Sequence, residues 1–278
     1  MTITCWGVRG SIPSPGPATA RYGGNTSCVS IELAPDKILI LDAGTGIRHL
    51  GKQLIPDNRE IYVVLSHSHW DHIQGFPFFL PLYQPNRKLY LIPDVRNSDR
   101  LSAVDTQMDG THFPVMSGDL PSDFTYVDNN GLEFLKQRGF NISRIATNHP
   151  GGCFGYRVEH NGHTVVYISD NELEPPYTKT TDFDGFVEFC QGADLLIHNA
   201  QFLEEDMPLK HGWGHSLVSQ ACNLAATAQV KQLLLFHHEP DRSDEELDGI
   251  QIWARNWFSD QGHTTQCAVA YEGLSVEL

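Results

Sequence analysis

Ile61-Tyr62-Val63-Val64-Leu65-Ser66-His67-Ser68-His69-Trp70-Asp71-His72 governs how the rest of the chain reads. Its first five residues are an apolar, partly β-branched run of strand length without polar alternation, the mark of a strand covered on both faces. Three imidazoles and a carboxylate follow within six positions, so N and O donors crowd a tight loop at the strand's C-terminal end. First-row divalent cations favour such donors. His67 and His69 are two apart and share a face in extended backbone, so they can hold one ion, while Asp71 and His72 can turn toward a second. A lone His in a loop is ordinary polar surface; this cluster is a much more specific signal.

Similar apolar runs recur at 37–41, 89–92, 164–168, 195–197 and 232–236, and each predicts a strand buried on both sides. Helical patterns lie at 216–227, where Leu217, Cys222, Leu224 and Ala225 form one broad apolar face, and at 243–258, which opens on an acidic first turn. Mixed strands and helices with no Pro/Gly/Ser linker favour a single domain over residues 1–278, with two sheets enclosed by helices. Residues 105–130 read as a long irregular insert, with Gly110, Pro114, Gly118, Pro121 and the pair Asn129-Asn130. Such a segment is either a substrate loop or a surface excursion.

Of 278 residues, 34 are acidic and 19 basic, a net charge of -15, and no Lys/Arg run offsets it. Nucleic acid is therefore disfavoured as a partner, whereas a small anionic substrate stays compatible because bound cations reverse the field locally. Cys5, Cys28, Cys153, Cys190, Cys222 and Cys267 are far apart and include no C-x-x-C pair, so they read as reduced, buried thiols. No leader-like start and no apolar run of spanning length is visible, which predicts a cytoplasmic protein without a membrane partner.

The hexapeptide cannot complete two metal sites by itself, so further ligands are expected at the ends of later strands. His149 follows 142–147, Asp170 follows 164–169 and His237 follows 232–236. The repeated placement after a strand favours ligation over chance.

With these residues the chain resembles the metallo-β-lactamase superfamily, whose H-x-H-x-D-H motif matches His67, His69, Asp71 and His72 over a likeness that spans nearly the whole sequence. The resemblance implies an α/β fold, a four-layer αββα sandwich. It implies that one ion takes His67, His69 and His149, that the other takes Asp71, His72 and His237, and that Asp170 bridges them. His238 is the alternative to His237, which is preferred as the first residue after its strand. Asp42, in Ile40-Leu41-Asp42-Ala43-Gly44-Thr45-Gly46, is similar to the family's structural Asp and would orient the His loop from behind. Two divalent ions about 3.5–4 Å apart hold a bridging hydroxide and stabilise attacking and leaving oxygens, which suits phosphodiester hydrolysis. Zinc is the first choice of metal, and manganese or iron(II) fit the same donors. Diiron relatives that reduce oxygen typically carry Glu at the second His of the motif, where this chain has His69.

Gly7-Val8-Arg9-Gly10-Ser11-Ile12-Pro13 and Tyr22-Gly23-Gly24-Asn25-Thr26-Ser27 resemble the phosphodiesterase and tRNA 3′-processing side of that family. They also suit a plain Gly/Pro loop between strands. Arg9 is a candidate phosphate contact. His211-Gly212-Trp213-Gly214-His215-Ser216 is similar to the family's G-H-[ST] element, which would make His215, together with Asp71, the catalytic pair, His215 acting as proton donor to the leaving oxygen. His198-Asn199-Ala200-Gln201 departs from the branch, because Asn199 stands where a carboxylate normally supports that His. Asp206 and Glu204 are candidate substitutes. The branch's basic Gly/Pro/Lys arm is absent from this sequence. The leading expectation is a phosphodiesterase for a small substrate, cyclic nucleotides first, acting as a homodimer. An RNA 3′-end endonuclease is the second reading and a non-catalytic metal-bound nucleotide sensor the third. His112-Phe113 and Trp213 are candidate base-stacking aromatics, and Arg157 is expected on a strand edge.

Overall fold

A computed structural model describes residues 1–93, 103–127 and 130–278. The apolar runs become strands of two sheets. The first takes β1 (Thr2–Gly7), β2 (Cys28–Ala34), β3 (Lys37–Leu41), β4 (Glu60–Val64), β5 (Lys88–Ile92) and β6 (Asp123–Tyr126). The second takes β7 (Asn141–Ala146), β8 (Phe154–His160), β9 (His163–Ile168), β10 (Leu195–Asn199), β11 (Gln232–Phe236) and β12 (Gln266–Val269), after which β13 (Ser275–Glu277) returns to the first sheet beside β1. Strand orders are β13-β1-β2-β3-β4-β5-β6 and β12-β11-β10-β9-β8-β7. Strands β3 to β6 are mutually parallel, as are β9 to β12.

Period-two geometry sends alternate side chains of these strands into two different apolar layers. In β3, Leu39 and Leu41 enter the layer between the sheets, whereas Ile38 and Ile40 pack beneath the helix α1 (Ile47–Gln53). β4 repeats this, with Tyr62 and Val64 inside and Ile61 and Val63 outside. On the other sheet, Leu234 and Phe236 of β11 face inward while Leu233 and Leu235 face outward. A strand buried on both faces has no place for alternating polar residues, which is why these segments are continuous apolar runs. Each such side chain contributes roughly 1.5–3 kcal/mol by leaving water, and Leu39→Ala would cost about 2–5 kcal/mol.

Five shorter or mid-length helices follow α1: α2 (Trp70–Ile73), α3 (Ala103–Gln107), α4 (Gly131–Gln137), α5 (Phe183–Cys190) and α6 (Val218–Thr227); the long α7 (Asp244–Asp260) closes the series. Phe186 and Cys190 of α5, Ala221, Cys222 and Ala225 of α6, and Leu247, Ala254 and Phe258 of α7 cover the second sheet. Helices on both outer faces complete the expected αββα sandwich. The acidic start of α7 is a capping box: Ser243 Oγ accepts from Glu246 N at 3.3 Å and the Glu246 carboxylate accepts from Ser243 N at 2.7 Å.

Two expectations are corrected. Residues 105–130 are not wholly irregular: they hold the end of α3, a 3₁₀ turn at Ser117–Asp119 and β6, which pairs in parallel with β5. β6 is an edge strand, exposed along most of Asp123-Phe124-Thr125-Tyr126, so it lacks the apolar run that reveals a buried strand. Asn129 of the expected turn lies outside the described residues. Arg157 is not on an edge either, because β8 lies between β7 and β9; its guanidinium donates to the Phe189 carbonyl at 3.0 Å and to Glu159 at 2.9 Å. All six cysteines are buried and none forms a disulfide among the described residues, and no described helix is long and apolar enough to cross a membrane.

The parallel strands deliver the chemistry-bearing loops. The C-terminal ends of β3 and β4 meet those of β9, β10 and β11 along one rim of the sandwich. That rim is stitched by backbone bonds from Gly10 N to His238 O (2.8 Å), His238 N to Val8 O (3.0 Å) and Phe154 N to Ser66 O (3.0 Å).

Candidate metal centre

After β4 the chain continues extended to His69 and then winds into α2, which turns Asp71 and His72 inward and leaves Trp70 outside, 64% exposed. The loop rests on Asp42, at the end of β3. Asp42 accepts from Ser66 N (2.7 Å), Ser66 Oγ (2.8 Å) and Tyr167 Oη (2.7 Å), and lies 2.8 Å from His72 Nδ1. It is wholly buried behind the imidazoles, the place expected for an orienting residue. Its φ of 63° is a left-handed conformation rarely adopted outside glycine, and only the surrounding bonds make it tolerable.

Two donor groups stand side by side. His67, His69 and His149 place ligating atoms within 4.8 Å of one another, and Asp71, His72, Asp170 and His237 do the same. Asp170, two residues past β9, faces both. Its Oδ2 is 3.8 Å from His67 Nε2 and 3.7 Å from His149 Nε2, while its Oδ1 is 3.1 Å from His72 Nε2 and 3.2 Å from His237 Nε2. Asp71 Oδ2 is 3.2 Å from His72 Nε2 and 3.1 Å from His237 Nε2. His238, the alternative to His237, points elsewhere and donates through Nε2 to the Ala270 carbonyl at 2.8 Å. His237 reaches the cluster through a left-handed backbone of φ 63°, and a Cβ on Gly10 would overlap its ring.

The cluster fits divalent metal on its own chemistry. His72 Nδ1 donates to Asp42, His149 Nδ1 donates to the Gly214 carbonyl at 3.0 Å, and His237 Nδ1 donates to Gln201 Oε1 at 2.9 Å. Each of these rings therefore turns a bare Nε2 lone pair toward carboxylates or another imidazole. His67 Nε2, His72 Nε2 and Asp170 Oδ1 are buried without a hydrogen-bond partner. Lone pairs so gathered repel unless a cation lies among them. Burial works to raise the Asp71 and Asp170 carboxyls, and positive charge beside them holds both well below the usual range; with the imidazoles neutral and Nε2 bare, a cation among the donors has to supply that charge.

His215 lies against this cluster, its ring stacked 5.0 Å from that of His237 and edge-on at 5.3 Å to His149. Its Nδ1 is 3.0 Å from Asn199 Nδ2 and 3.8 Å from Asp170 Oδ2. Neither candidate substitute for the missing carboxylate touches it. Asp206 accepts from Leu203 N at 2.7 Å and from Arg242 at 2.8 Å, and Glu204 accepts from Ser219. Arg9 is corrected as a phosphate contact: wholly buried, it donates to the carbonyls of Gly23, Glu239 and Arg242 and ties the N-terminal loop to the chain beyond β11. Phe113 packs edge-on against Phe78 at 5.3 Å, and Trp213 is 57% exposed with the Lys210 ammonium 4.3 Å from its centroid.

Sequence reasoning gave no role to four residues that shape the site. Ser11, at φ 61°, donates its N–H to Asp71 Oδ2 at 2.9 Å. Gln201 holds His237. Tyr167 reaches Asp42 across the sandwich, and its hydroxyl among the apolar residues 165–168 was the readable signal. Glu172 receives Gly212 N (2.9 Å) and Gly214 N (2.8 Å), which fixes the turn whose carbonyl holds His149. Gly214 has φ 91°, and a Cβ there would overlap the His149 ring.

The family model described as "Beta-lactamase superfamily domain" matches residues 37–238. The probable metallo-hydrolase YhfI of Bacillus subtilis is 24% identical over 253 residues, covering 85% of this chain and 86% of that protein. Its crystal structure aligns at a TM-score of 0.70 over 99% of both chains. Ribonuclease Z of Staphylococcus carnosus is 21% identical over 309 residues, covering 93% of this chain and 95% of that protein. A crystal structure called a new diphosphatase from the PhnP family aligns at a TM-score of 0.66 with 17% identity, over 100% of this chain and 97% of that one.

Proposed function

The chain belongs to the β-lactamase superfamily and is a metal-dependent hydrolase, and from that premise we propose that it hydrolyses a small phosphodiester, cyclic nucleotides first, at a pair of divalent cations, zinc before manganese or iron(II). One observation carries the reading: Asp170 turns one carboxylate oxygen toward each of two donor groups. His67, His69 and His149 would hold one cation, Asp71, His72 and His237 the other, with Asp170 shared. When bound, such a pair supplies a strongly acidified water and charge stabilisation at phosphoryl oxygens.

The chain's own residues do the rest. Asp42, Gly214 and Gln201 hold the imidazoles in the orientation that leaves Nε2 bare, so the site is organised before substrate arrives. Ser11 N–H fixes the Asp71 carboxylate. Trp213 and Lys210 offer an exposed ring and a cation near His215, suited to a base and a phosphate of one small ligand. The net charge of -15 favours a compact anion drawn in by the cations over a long polyanion. The ribonuclease Z relatives give no support to that exclusion of nucleic acid, so RNA 3′-end cleavage stands as the second reading.

The test is turnover by zinc- or manganese-loaded protein on cyclic mononucleotides and bis(p-nitrophenyl) phosphate, with Asp71→Ala as the control. Turnover that disappears in the variant supports the proposal, and a blank panel overturns it. Trimming of a precursor tRNA at physiological salt would install the second reading instead. Nucleotide binding by calorimetry without turnover would mark a sensor.

A further inference from the structure

His215 Nδ1 meets the side-chain amide nitrogen of Asn199, where Nδ1 of His72, His149 and His237 meets a carboxylate, a carbonyl and an amide oxygen. The orientation of Asn199 is fixed twice over. Its Oδ1 accepts from Ser216 N at 2.9 Å and its Nδ2 donates to the Ser169 carbonyl at 2.7 Å. Both partners are backbone groups that cannot exchange roles, so a flipped amide would set donor against donor and acceptor against acceptor. The second Nδ2 hydrogen is left for His215 Nδ1, 3.0 Å away, and that nitrogen must present a lone pair. The ring proton of His215 then sits on Nε2, which has no hydrogen-bond partner among the described residues.

We propose that Asn199 is a positioning residue that holds His215 in the Nε2–H tautomer, so that His215 acts as a neutral hydrogen-bond donor to a substrate oxygen. Two consequences follow. The Nδ1 lone pair is already engaged, so the grouping of His215 with His149 and Asp170 is not a third metal position, although its ligating atoms lie within 4.8 Å. In that tautomer the ring offers Nε2–H as a hydrogen bond in place of the expected transfer of a proton, and the Asn199 contact that sets it is fully buried beside a His215 that is 7% exposed. What remains is stabilisation of charge on a phosphoryl oxygen, the work of an oxyanion-hole donor. The substrate role rests on the phosphodiester reading, whereas the tautomer does not.

The test is long-range proton–nitrogen correlation on the zinc-loaded full chain labelled at histidine nitrogens, with His215 signals assigned by their loss in His215→Gln. The expected pattern for wild type is an unprotonated Nδ1 and a protonated Nε2; a protonated Nδ1 in wild type overturns the proposal. Asn199→Asp exchanges the donor for an acceptor, so His215 Nδ1 should become protonated while His149 and His237 keep their signals, and an unchanged His215 removes Asn199 from the account. Should that variant not fold, Asn199→Ala should give a mixture of both tautomers, and retention of a pure Nε2–H form there counts against the proposal. On any phosphodiester the wild type cleaves, Asn199→Asp should lower kcat on the order of 10²-fold with KM little changed. A blank substrate panel beside the expected nitrogen pattern would sink the phosphodiester reading and leave the tautomer assignment standing.

Discussion

The loop after β4 and the segment in which β10 ends lie at the same rim, and they serve it in opposite ways. In His67-Ser68-His69-Trp70-Asp71-His72 four side chains enter the donor groups directly. In His198-Asn199-Ala200-Gln201 none does, yet Asn199 touches His215 and Gln201 touches His237. His198 itself turns away, donating from Nδ1 to the Asn199 carbonyl at 2.6 Å. Ligating power follows residue type and shows in a sequence. At His215 and His237 the ring proton is set by the side-chain amides of Asn199 and Gln201, residues that look the same in any loop.

The sharpest break between the two loops is functional. Asp71→Ala removes an anion from the donor group itself and should lower turnover on the order of 10³-fold, with bound metal falling by elemental analysis. Retention of both metal and turnover would take the β4 loop out of the chemistry.

Acid should act on two buried imidazoles outside the donor groups, His198 at the end of β10 and His238 after β11. Burial lowers His198 to about 4 and, together with the nearby Arg9 charge, His238 to about 3, so both are neutral in the folded chain while the unfolded chain takes up protons below about 6.5. The stability they contribute is fully present above about pH 6.5 and is lost as pH falls through the folded values. At pH 4 that loss is on the order of 3 kcal/mol for each. Thermal unfolding of the holoprotein from pH 7 to pH 4 should show the midpoint fall, less steeply in His238→Gln; a flat profile would contradict it.

Gln201→Leu tests whether the β10 loop acts at one remove. It strands the His237 Nδ1–H and the Glu239 carboxylate that Gln201 joins at 2.7 Å, and should weaken metal binding about 10–100-fold in competition with a chelator. A loss as deep as that of Asp71→Ala would erase the distinction between the loops. The smallest effect is expected beneath the β4 loop: Tyr167→Phe deletes one of the donors to Asp42 and should cost about 1–2 kcal/mol in urea unfolding.

Much of this was legible along the chain. The runs at 37–41 and 232–236 are strands with those bounds, because a strand buried on both faces has to be apolar throughout. β6 was illegible, because an edge strand with an open face needs no such run. Arg9 misled, because a guanidinium in a Gly-rich loop looks the same whether it meets a phosphate or three carbonyls.

By itself the sequence determined the two-sheet layering and the kinds of donor available, since both depend on residue type and short-range spacing. Only the tertiary structure decided that Asp170 faces two donor groups, that His237 rather than His238 joins them, and that His215 carries its proton on Nε2. Those outcomes rest on hydrogen bonds and contacts between loops far apart in the chain, such as Tyr167 with Asp42 and His149 with Gly214. No local pattern encodes which atom such a bond will meet.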